Sequence, residues 1–185
     1  MKRIVALLLI MLLLTGCSLG EDQLDRAIAL RSKLLQSSVT FDVEMTADYG
    51  DKTYTFAMAC EADKMGNLKF RVTKPDTIAG ITGTVSKGNG NLTFDDQVLG
   101  FDMLAERLIS PVSGPWVFLA TLRSGYLTSC GNEGDGLRIA IDDSYAEKAL
   151  HLDIWLDQQD LPKYCEIFWQ GRRLLSMTVK NFTIL

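Results

Sequence analysis

The sequence has 185 residues, with 19 basic and 23 acidic side chains and a formal net charge of −4. An acidic chain without a basic cluster is a poor partner for nucleic acid, which argues against that class of function. An apolar content of 47% in a chain of this length indicates one folded domain with its own core, not a disordered segment.

The first sixteen residues have the pattern of a secretory signal peptide. Lys2 and Arg3 form a basic start, an unbroken apolar run extends from Ile4 to Leu14, and small residues follow. The run is too short to span a bilayer, because a spanning helix takes about 20 apolar residues. We therefore predict export from the cytoplasm and removal of residues 1–16.

The segment Leu14-Thr15-Gly16-Cys17 resembles the bacterial lipobox. The resemblance implies that Cys17 carries diacylglycerol and palmitate, and that the mature protein is an extracytoplasmic lipoprotein anchored to the cell membrane. An ordinary cleaved signal that ends near a cysteine is the alternative. Ser18 is compatible with sorting to an outer membrane, if the cell has one. Residues 17–20 then form a lipidated tether, and residues 21–185 form a single domain.

An amphipathic helix is predicted from Glu21 to Gln36. Glu21 and Asp22 stand at its start, where carboxylates favour the positive end of the helix dipole. Five apolar residues at helical spacing predict one core-facing stripe: Leu24, Ala27, Ile28, Leu34 and Leu35. The domain therefore begins close to the membrane surface.

Five strands joined by short turns are predicted next, and they make an antiparallel meander. Strict alternation of apolar and polar residues from Val39 to Tyr49 indicates a half-buried strand. A hairpin turn is predicted at Gly88-Asn89-Gly90-Asn91. The other strands are predicted at Thr53–Glu61, Leu68–Thr73, Ile78–Ser86 and Leu92–Asp95.

Two short helices are predicted in the middle of the chain. The first covers residues 102–108 and is capped by Asp102. The second begins at Ser113-Gly114-Pro115, with proline in its first turn, and ends at Gly125. One face of the second helix carries Trp116, Leu119 and Ala120.

Strands return after residue 125 and form a second meander. They are predicted at Tyr126–Gly131, Leu137–Asp142, Leu150–Leu156, Tyr164–Trp169 and Leu174–Ile184. The total is about ten strands and about three helices, so the predicted fold class is α+β. A single sheet with this many one-sided strands curls into an unclosed barrel, and the helices pack on or lid its concave side.

Three cysteines remain when Cys17 is assigned to lipid. Because three is odd, at most one disulfide joins two of Cys60, Cys130 and Cys165, and the pairing, including an intermolecular one, stays open. No two of them are close in sequence, which does not fit a zinc site. The other interpretation is that all three are small, buried apolar residues.

No catalytic, metal or cofactor motif is recognised in the sequence. His151 is the single histidine, and alternation places it outward beside Asp153, a common position for an exposed strand residue. The glycine-rich segments lack the helix and the Lys-Ser or Lys-Thr pair of a phosphate-binding loop. We predict that the protein is not an enzyme and needs no cofactor.

Two groups of segments resemble the LolA/LolB-like proteins of bacterial envelopes. The first is Phe70-Arg71-Val72-Thr73-Lys74-Pro75-Asp76 with the later segment 88–94. The second is Leu152-Asp153-Ile154-Trp155-Leu156-Asp157 with Leu161-Pro162-Lys163 and Val179-Lys180-Asn181-Phe182. These proteins have an unclosed eleven-stranded barrel with a helical lid, and its concave face holds acyl chains or carries lipoproteins between membranes.

The resemblance implies a similar apolar cavity here, lined by inward side chains of both meanders. Alternation assigns to this ligand-binding lining Val43, Met45, Phe56, Met58, Phe70, Val72, Leu152 and Ile154. The same side chains also suit a filled core, and both interpretations stay open.

The predicted function is a non-enzymatic, membrane-anchored lipoprotein that binds an apolar ligand such as a lipid or a lipoprotein acyl chain. The alternative is an adaptor that binds a protein of the cell envelope. Trp155 and Trp169 are predicted to lie opposite the apolar set of their strands or on a two-sided face, and exposed tryptophans favour such a partner surface. In one LolA-like group, from spore-forming clostridia, the partner is a cortex-modifying amidase and the process is spore germination.

Overall fold

The computed structural model describes residues 21–86, 89–94 and 109–185. These residues hold two helices, α1 (Glu21–Gln36) and α2 (Gly114–Ser124), with a 3-10 turn at Pro111–Ser113 directly before α2. The strands are β1 (Val39–Asp48), β2 (Thr53–Ala62), β3 (Leu68–Lys74), β4 (Thr82–Ser86), β5 (Asn89–Phe94), β6 (Tyr126–Glu133), β7 (Gly136–Asp142), β8 (Leu150–Leu156), β9 (Pro162–Trp169) and β10 (Arg172–Ile184).

The ten strands form one antiparallel sheet in the order β5-β4-β3-β2-β1-β10-β9-β8-β7-β6. Both predicted meanders are therefore confirmed, and they join where the first and last strands pair, with Met45 opposite Met177. Within the described ranges β5 and β6 are the two edge strands and do not pair with each other, so the sheet is open, as predicted.

One face of the sheet is apolar because its strands alternate with period two. In β1 the residues Val39, Phe41, Val43, Met45 and Ala47 are all buried, while the residues between them are at least partly exposed. The buried side chains of both meanders and both helices belong to a single core cluster.

The sheet must curve for two helices to share a core with both of its halves. Ten strands at about 4.8 Å spacing would make a flat sheet more than about 40 Å wide, whereas one helix is about 10 Å across. Register shifts in most of the strand pairings, for example between Thr40 and Asp42 in β1, bend the strands locally. The curvature predicted from the patterning is thus present.

Helix α1 packs on this face through a different stripe from the predicted one. Ala27, Leu30 and Leu34 are buried, whereas Leu24, Ile28 and Leu35 are exposed. The predicted stripe was therefore right for Ala27 and Leu34 and wrong for Leu24, Ile28 and Leu35. The apolar residues of α1 cover a broad arc, and the sheet occupies only one side of it.

Helix α2 begins and ends where its sequence predicts. It is buried on nearly all sides, and the Phe118 ring packs edge-on against Phe41 of β1, with ring centroids 5.9 Å apart. Gly125 follows it so closely under β7 that an added Cβ would lie 2.6 Å from Ile141 Cγ2 and 2.7 Å from the Asp142 carbonyl oxygen. A side chain at residue 125 would push α2 away from the sheet.

Three other predictions need correction or fall outside the described ranges. The third helix, predicted over 102–108, lies outside the residues that the structure describes, which hold two α-helices. Strand β5 already begins at Asn89, paired with Ser86, so the predicted turn residues 89–91 are strand, as the preference for two-residue hairpin turns allows. Strand β4 begins only at Thr82, because residues 75–81 make a turn that includes Gly80 at φ +92°.

Candidate functional site

The side chains predicted to line a cavity lie in the packed core. All are between 0% and 3% exposed and belong to the core cluster that includes both helices: Val43, Met45, Phe56, Met58, Phe70, Val72, Leu152 and Ile154. Alternation therefore assigned them to the correct side of the sheet. Their role as a ligand lining stays a prediction.

A solvent-open apolar groove lies beside this core, between the two helices and the β2–β3 turn. Its volume is about 230 Å³. Leu35 of α1 and Trp116 and Ala120 of α2 line its sides, and the buried residues Leu68 and Leu119 form the floor. The remaining lining residues are Lys64, Met65, Gly66, Arg123 and Ser124. We call this feature the helix groove.

The β2–β3 turn that borders the helix groove is held by Asp63. Its Oδ1 accepts hydrogen bonds from the backbone N–H groups of Met65 and Asn67 at 2.8 and 3.0 Å, and its Oδ2 accepts one from Asn67 Nδ2 at 2.8 Å. The Asn67 side chain contributes most to lowering the pKa of Asp63. The turn presents the Gly66 carbonyl to Trp116, whose Nε1–H donates to it at 2.9 Å. The indole is thereby fixed in the groove wall.

A buried arginine connects the three elements of the groove. Arg123, 6% exposed, lies in the last turn of α2 and donates from Nη1 to the Asp63 carbonyl and from Nη2 to the Ser37 carbonyl, both at 2.9 Å. Its Nε is buried without a hydrogen-bond partner. Burial lowers the pKa of Arg123, and the nearby Asp63 opposes this. The groove therefore has apolar walls and a poorly solvated cation at its base.

The outer face of the second meander carries a network of cross-strand ion pairs. Arg138 Nη2 lies 2.7 Å from Asp153 Oδ2, and His151 Nδ1 lies 2.7 Å from Asp142 Oδ1. Arg173 Nη1 lies 2.6 Å from Glu166 Oε1. His151 is half exposed on this face, as predicted, and its two ring nitrogens face carboxylates. These ion pairs join β7 to β8 and β9 to β10.

The two tryptophans predicted to face outward differ in their surroundings. Trp155 is half-buried on the outer face, with its ring centroid 5.3 Å from that of Tyr164 and 5.4 Å from the Arg138 guanidinium carbon. Trp169 is half-buried but packs against the core cluster, so its predicted position opposite the apolar set of β9 was wrong. Trp169 follows the buried residues Cys165 and Ile167 at a spacing of two, and alternation along β9 therefore places it on the core side.

A second recess of about 800 Å³ lies over the polar face of the first meander. Asp42 and Glu61 line it together with Lys69 and Arg71. Since two acidic and two basic side chains share the recess, its charges give no preference for a cation or an anion.

The three cysteines of the described ranges are free thiols. Cys60 and Cys165 are buried and Cys130 is half-buried. Burial raises the pKa of both Cys60 and Cys165. Cys60 and Cys165 thus behave as small buried apolar side chains, which was one of the two interpretations of the sequence, whereas Cys130 is only half-buried. Cys17 lies outside the described residues.

Comparison with known proteins defines the class of this chain. Residues 1–18 match the prokaryotic membrane lipoprotein lipid attachment site, and Cys17 is the one cysteine in that range. The chain is therefore a membrane lipoprotein with a lipid attachment site within residues 1–18, and the assignment of the lipid to Cys17 stays a prediction. No curated protein matches the chain at a significant level. In the described part of the chain, neither helix is long and apolar enough to cross a bilayer.

Several solved structures are similar to this chain over most of its length. An uncharacterized conserved protein from Thermus thermophilus is 12% identical, with 89% of this chain and 86% of that chain covered and a TM-score of 0.45. A LolA superfamily protein from Nitrosomonas europaea is 10% identical, with 86% and 93% covered and a TM-score of 0.38. A DUF1329 family protein from Desulfovibrio piger is 13% identical, with 90% and 93% covered and a TM-score of 0.38.

The LolA superfamily, which the sequence resembles, is thus represented among these similar structures. At such identities and TM-scores the likenesses carry no statement about a ligand or a partner.

Sequence patterns contain no direct sign of the helix groove. The one visible signal was the shared face of Trp116, Leu119 and Ala120 on α2, which now proves to be the face that borders the groove.

Proposed function

We propose that this lipoprotein is a non-enzymatic lipid-binding protein whose helix groove takes the acyl chain of an amphipathic lipid, such as a fatty acid or the lipid of another lipoprotein. The observation that carries the proposal is the composition of the groove. Its floor is made of the core residues Leu68 and Leu119, yet it opens to solvent beside an exposed methionine, Met65. Apolar surface of this kind binds apolar ligands by removing both surfaces from water.

The volume of the groove is small for a ligand pocket. Ligand pockets usually measure about 300–1,000 Å³, so a groove of about 230 Å³ holds only part of a long ligand. Met65 can adapt to an apolar chain because methionine is flexible, and the indole of Trp116, fixed by its hydrogen bond, offers a broad apolar face. The rest of an acyl chain would extend along the protein surface.

The charges at the groove favour an acidic head group. Lys64 and Arg123 both line it, and Arg123 is bonded only to carbonyl groups among the described residues. A carboxylate or phosphate at this end of the groove would offset the charge of a poorly solvated guanidinium. We therefore expect fatty acids to bind more tightly than the corresponding alcohols.

Titration with a fluorescent fatty acid tests the proposal. The protein from residue 18 onward should take up the probe, and Trp116→Ala should weaken binding at least tenfold. Trp155→Ala is the matched control, because it removes an indole from the outer face, and it should bind as the wild type does. Absence of uptake by the wild type, or equal binding by Trp116→Ala, would overturn the proposal.

A protein-binding adaptor is the second candidate, and Trp155 is the observation that favours it. Tryptophan, tyrosine and arginine dominate the energetics of protein interfaces, and Trp155, Tyr164 and Arg138 stand together on the outer face. A cell-wall amidase is one envelope partner that the sequence resemblance implies. In this case Trp155→Ala should abolish capture of a partner from envelope extract while leaving fatty-acid binding unchanged.

A further inference from the structure

We propose that α1 lies in the surface of the anchoring membrane, with an exposed apolar stripe in contact with lipid. The stripe consists of Leu24, Ile28 and Leu35, which are 42%, 50% and 54% exposed. At 100° per residue, the three positions fall within about 40° of one another around the helix. The occupant of this surface is the bilayer itself, so the inference does not rest on the ligand of the helix groove.

The length of the tether keeps α1 at the membrane. Four residue steps lead from Cys17 to Glu21, and they span at most about 14 Å when fully extended. The polar layer on each side of a bilayer is about 5–8 Å deep. Helix α1 has 16 residues and is about 24 Å long. If it lies flat, the whole stripe reaches the boundary between head groups and acyl chains, where interfacial helices bury their apolar faces.

The charged residues of α1 are compatible with this orientation. Asp22 lies roughly opposite the stripe, about 140° from its centre, and the exposed Asp25 lies at its flank, about 80° from the centre. Arg31 lies about 20° outside the arc of the stripe, and its Nη2 donates to the Gly125 carbonyl at 2.5 Å. Its guanidinium is thus bound to the protein, and Leu24, Ile28 and Leu35 form an apolar surface.

The same apolar surface continues beyond α1. Leu35 also lines the helix groove together with Met65, which is 76% exposed. Lys64, next to Met65, adds a positive charge that anionic head groups attract. The surface toward the membrane therefore includes both ends of α1 and the β2–β3 turn.

Quenching by brominated lipid tests the orientation on the complete lipidated protein. The protein is reconstituted into vesicles of phosphatidylcholine brominated on its acyl chains, and wild type gives the background of its native tryptophans. Ile28→Trp places a probe in the stripe, and Tyr54→Trp places a matched probe at an exposed aromatic position of β2. We expect the brominated vesicles to quench the added emission of Ile28→Trp at least twofold, and that of Tyr54→Trp not at all.

Three results would overturn the proposal. Equal quenching of the two probes, or an Ile28→Trp probe that acrylamide reaches in vesicles as readily as in solution, overturns it. A probe already shielded before vesicles are added also overturns it, because another part of the chain or a second copy then covers the stripe. Leu24→Trp replaces Ile28→Trp if the latter fails to fold with the urea midpoint of the wild type.

Discussion

Two apolar faces of the same helix have different surroundings. Ala27, Leu30 and Leu34 of α1 are buried against the sheet and α2, whereas Leu24, Ile28 and Leu35 face solvent. Both faces have helical spacing and similar side chains, so periodicity alone does not distinguish them. The fold therefore buries only part of the apolar surface of α1, and we propose that lipid covers the remaining part.

The largest effect is expected on the buried face. Leu34→Ala should lower the free energy of unfolding by about 3 kcal/mol, because it removes buried methyl groups and leaves a cavity in a packed core. Urea unfolding followed by circular dichroism measures the change. A loss below about 1 kcal/mol would show that α1 contributes little to the core, and the contrast between the two faces would fail.

Arg123 connects α1, α2 and the β2–β3 turn. Removal of its guanidinium should lower the free energy of unfolding somewhat less than Leu34→Ala does. Arg123→Met keeps most of the side-chain volume but leaves the Asp63 and Ser37 carbonyls without their donor. We expect a loss of about 2 kcal/mol in the free energy of unfolding, within the usual cost of a lost buried hydrogen bond. Fatty-acid affinity should fall as well, and unchanged affinity would show that Arg123 does not attract the head group.

Asp63 should give a smaller effect that depends on pH. Asp63→Ala removes three hydrogen bonds from the β2–β3 turn and should cost about 1 kcal/mol at pH 7. Because the folded-state pKa of Asp63 is lowered, its stabilisation is present above the unfolded value near about 4 and is lost as the pH falls through the folded value. The difference in the free energy of unfolding between wild type and variant, measured with urea, should therefore shrink below about pH 4. A constant difference from pH 7 to pH 3 would contradict this role.

The smallest effect is expected on the exposed face. Ile28→Ala should change the free energy of unfolding by less than about 0.5 kcal/mol, as surface substitutions usually do. Leu35→Ala should be equally neutral for stability. These variants are measured in the same urea experiment as Leu34→Ala, so that the free energies of unfolding can be compared directly between the two faces. A loss close to that of Leu34→Ala would place both faces in the core.

The sequence predicted the sheet well because alternation is a local signal. The period of two in β1 is strict, and short turns between strands leave few choices other than two antiparallel meanders. The face of α1 was predicted less well, because its apolar residues cover a broad arc and Leu30 was not included in the stripe. Only the position of the sheet decides which side of that arc is buried.

The candidate site could not be predicted because it is built by residues that lie far apart in the sequence. Trp116 donates to Gly66, fifty positions away, and Arg123 bonds the carbonyls of Asp63 and Ser37. No local pattern reports such contacts. The inward residues of the strands could be assigned to the core side by alternation, but their packing density depends on how both helices fill the curve of the sheet.

Native mass spectrometry of the protein, purified from residue 18 onward without detergent, tests the central claim that apolar surface spared by the fold binds lipid. We expect one bound acidic lipid per molecule in the wild type and its loss in Leu35→Ser, while the urea midpoint stays unchanged. A wild-type protein that remains lipid-free even after incubation with fatty acid would contradict it. So would a Leu35→Ser variant that retains the lipid in full.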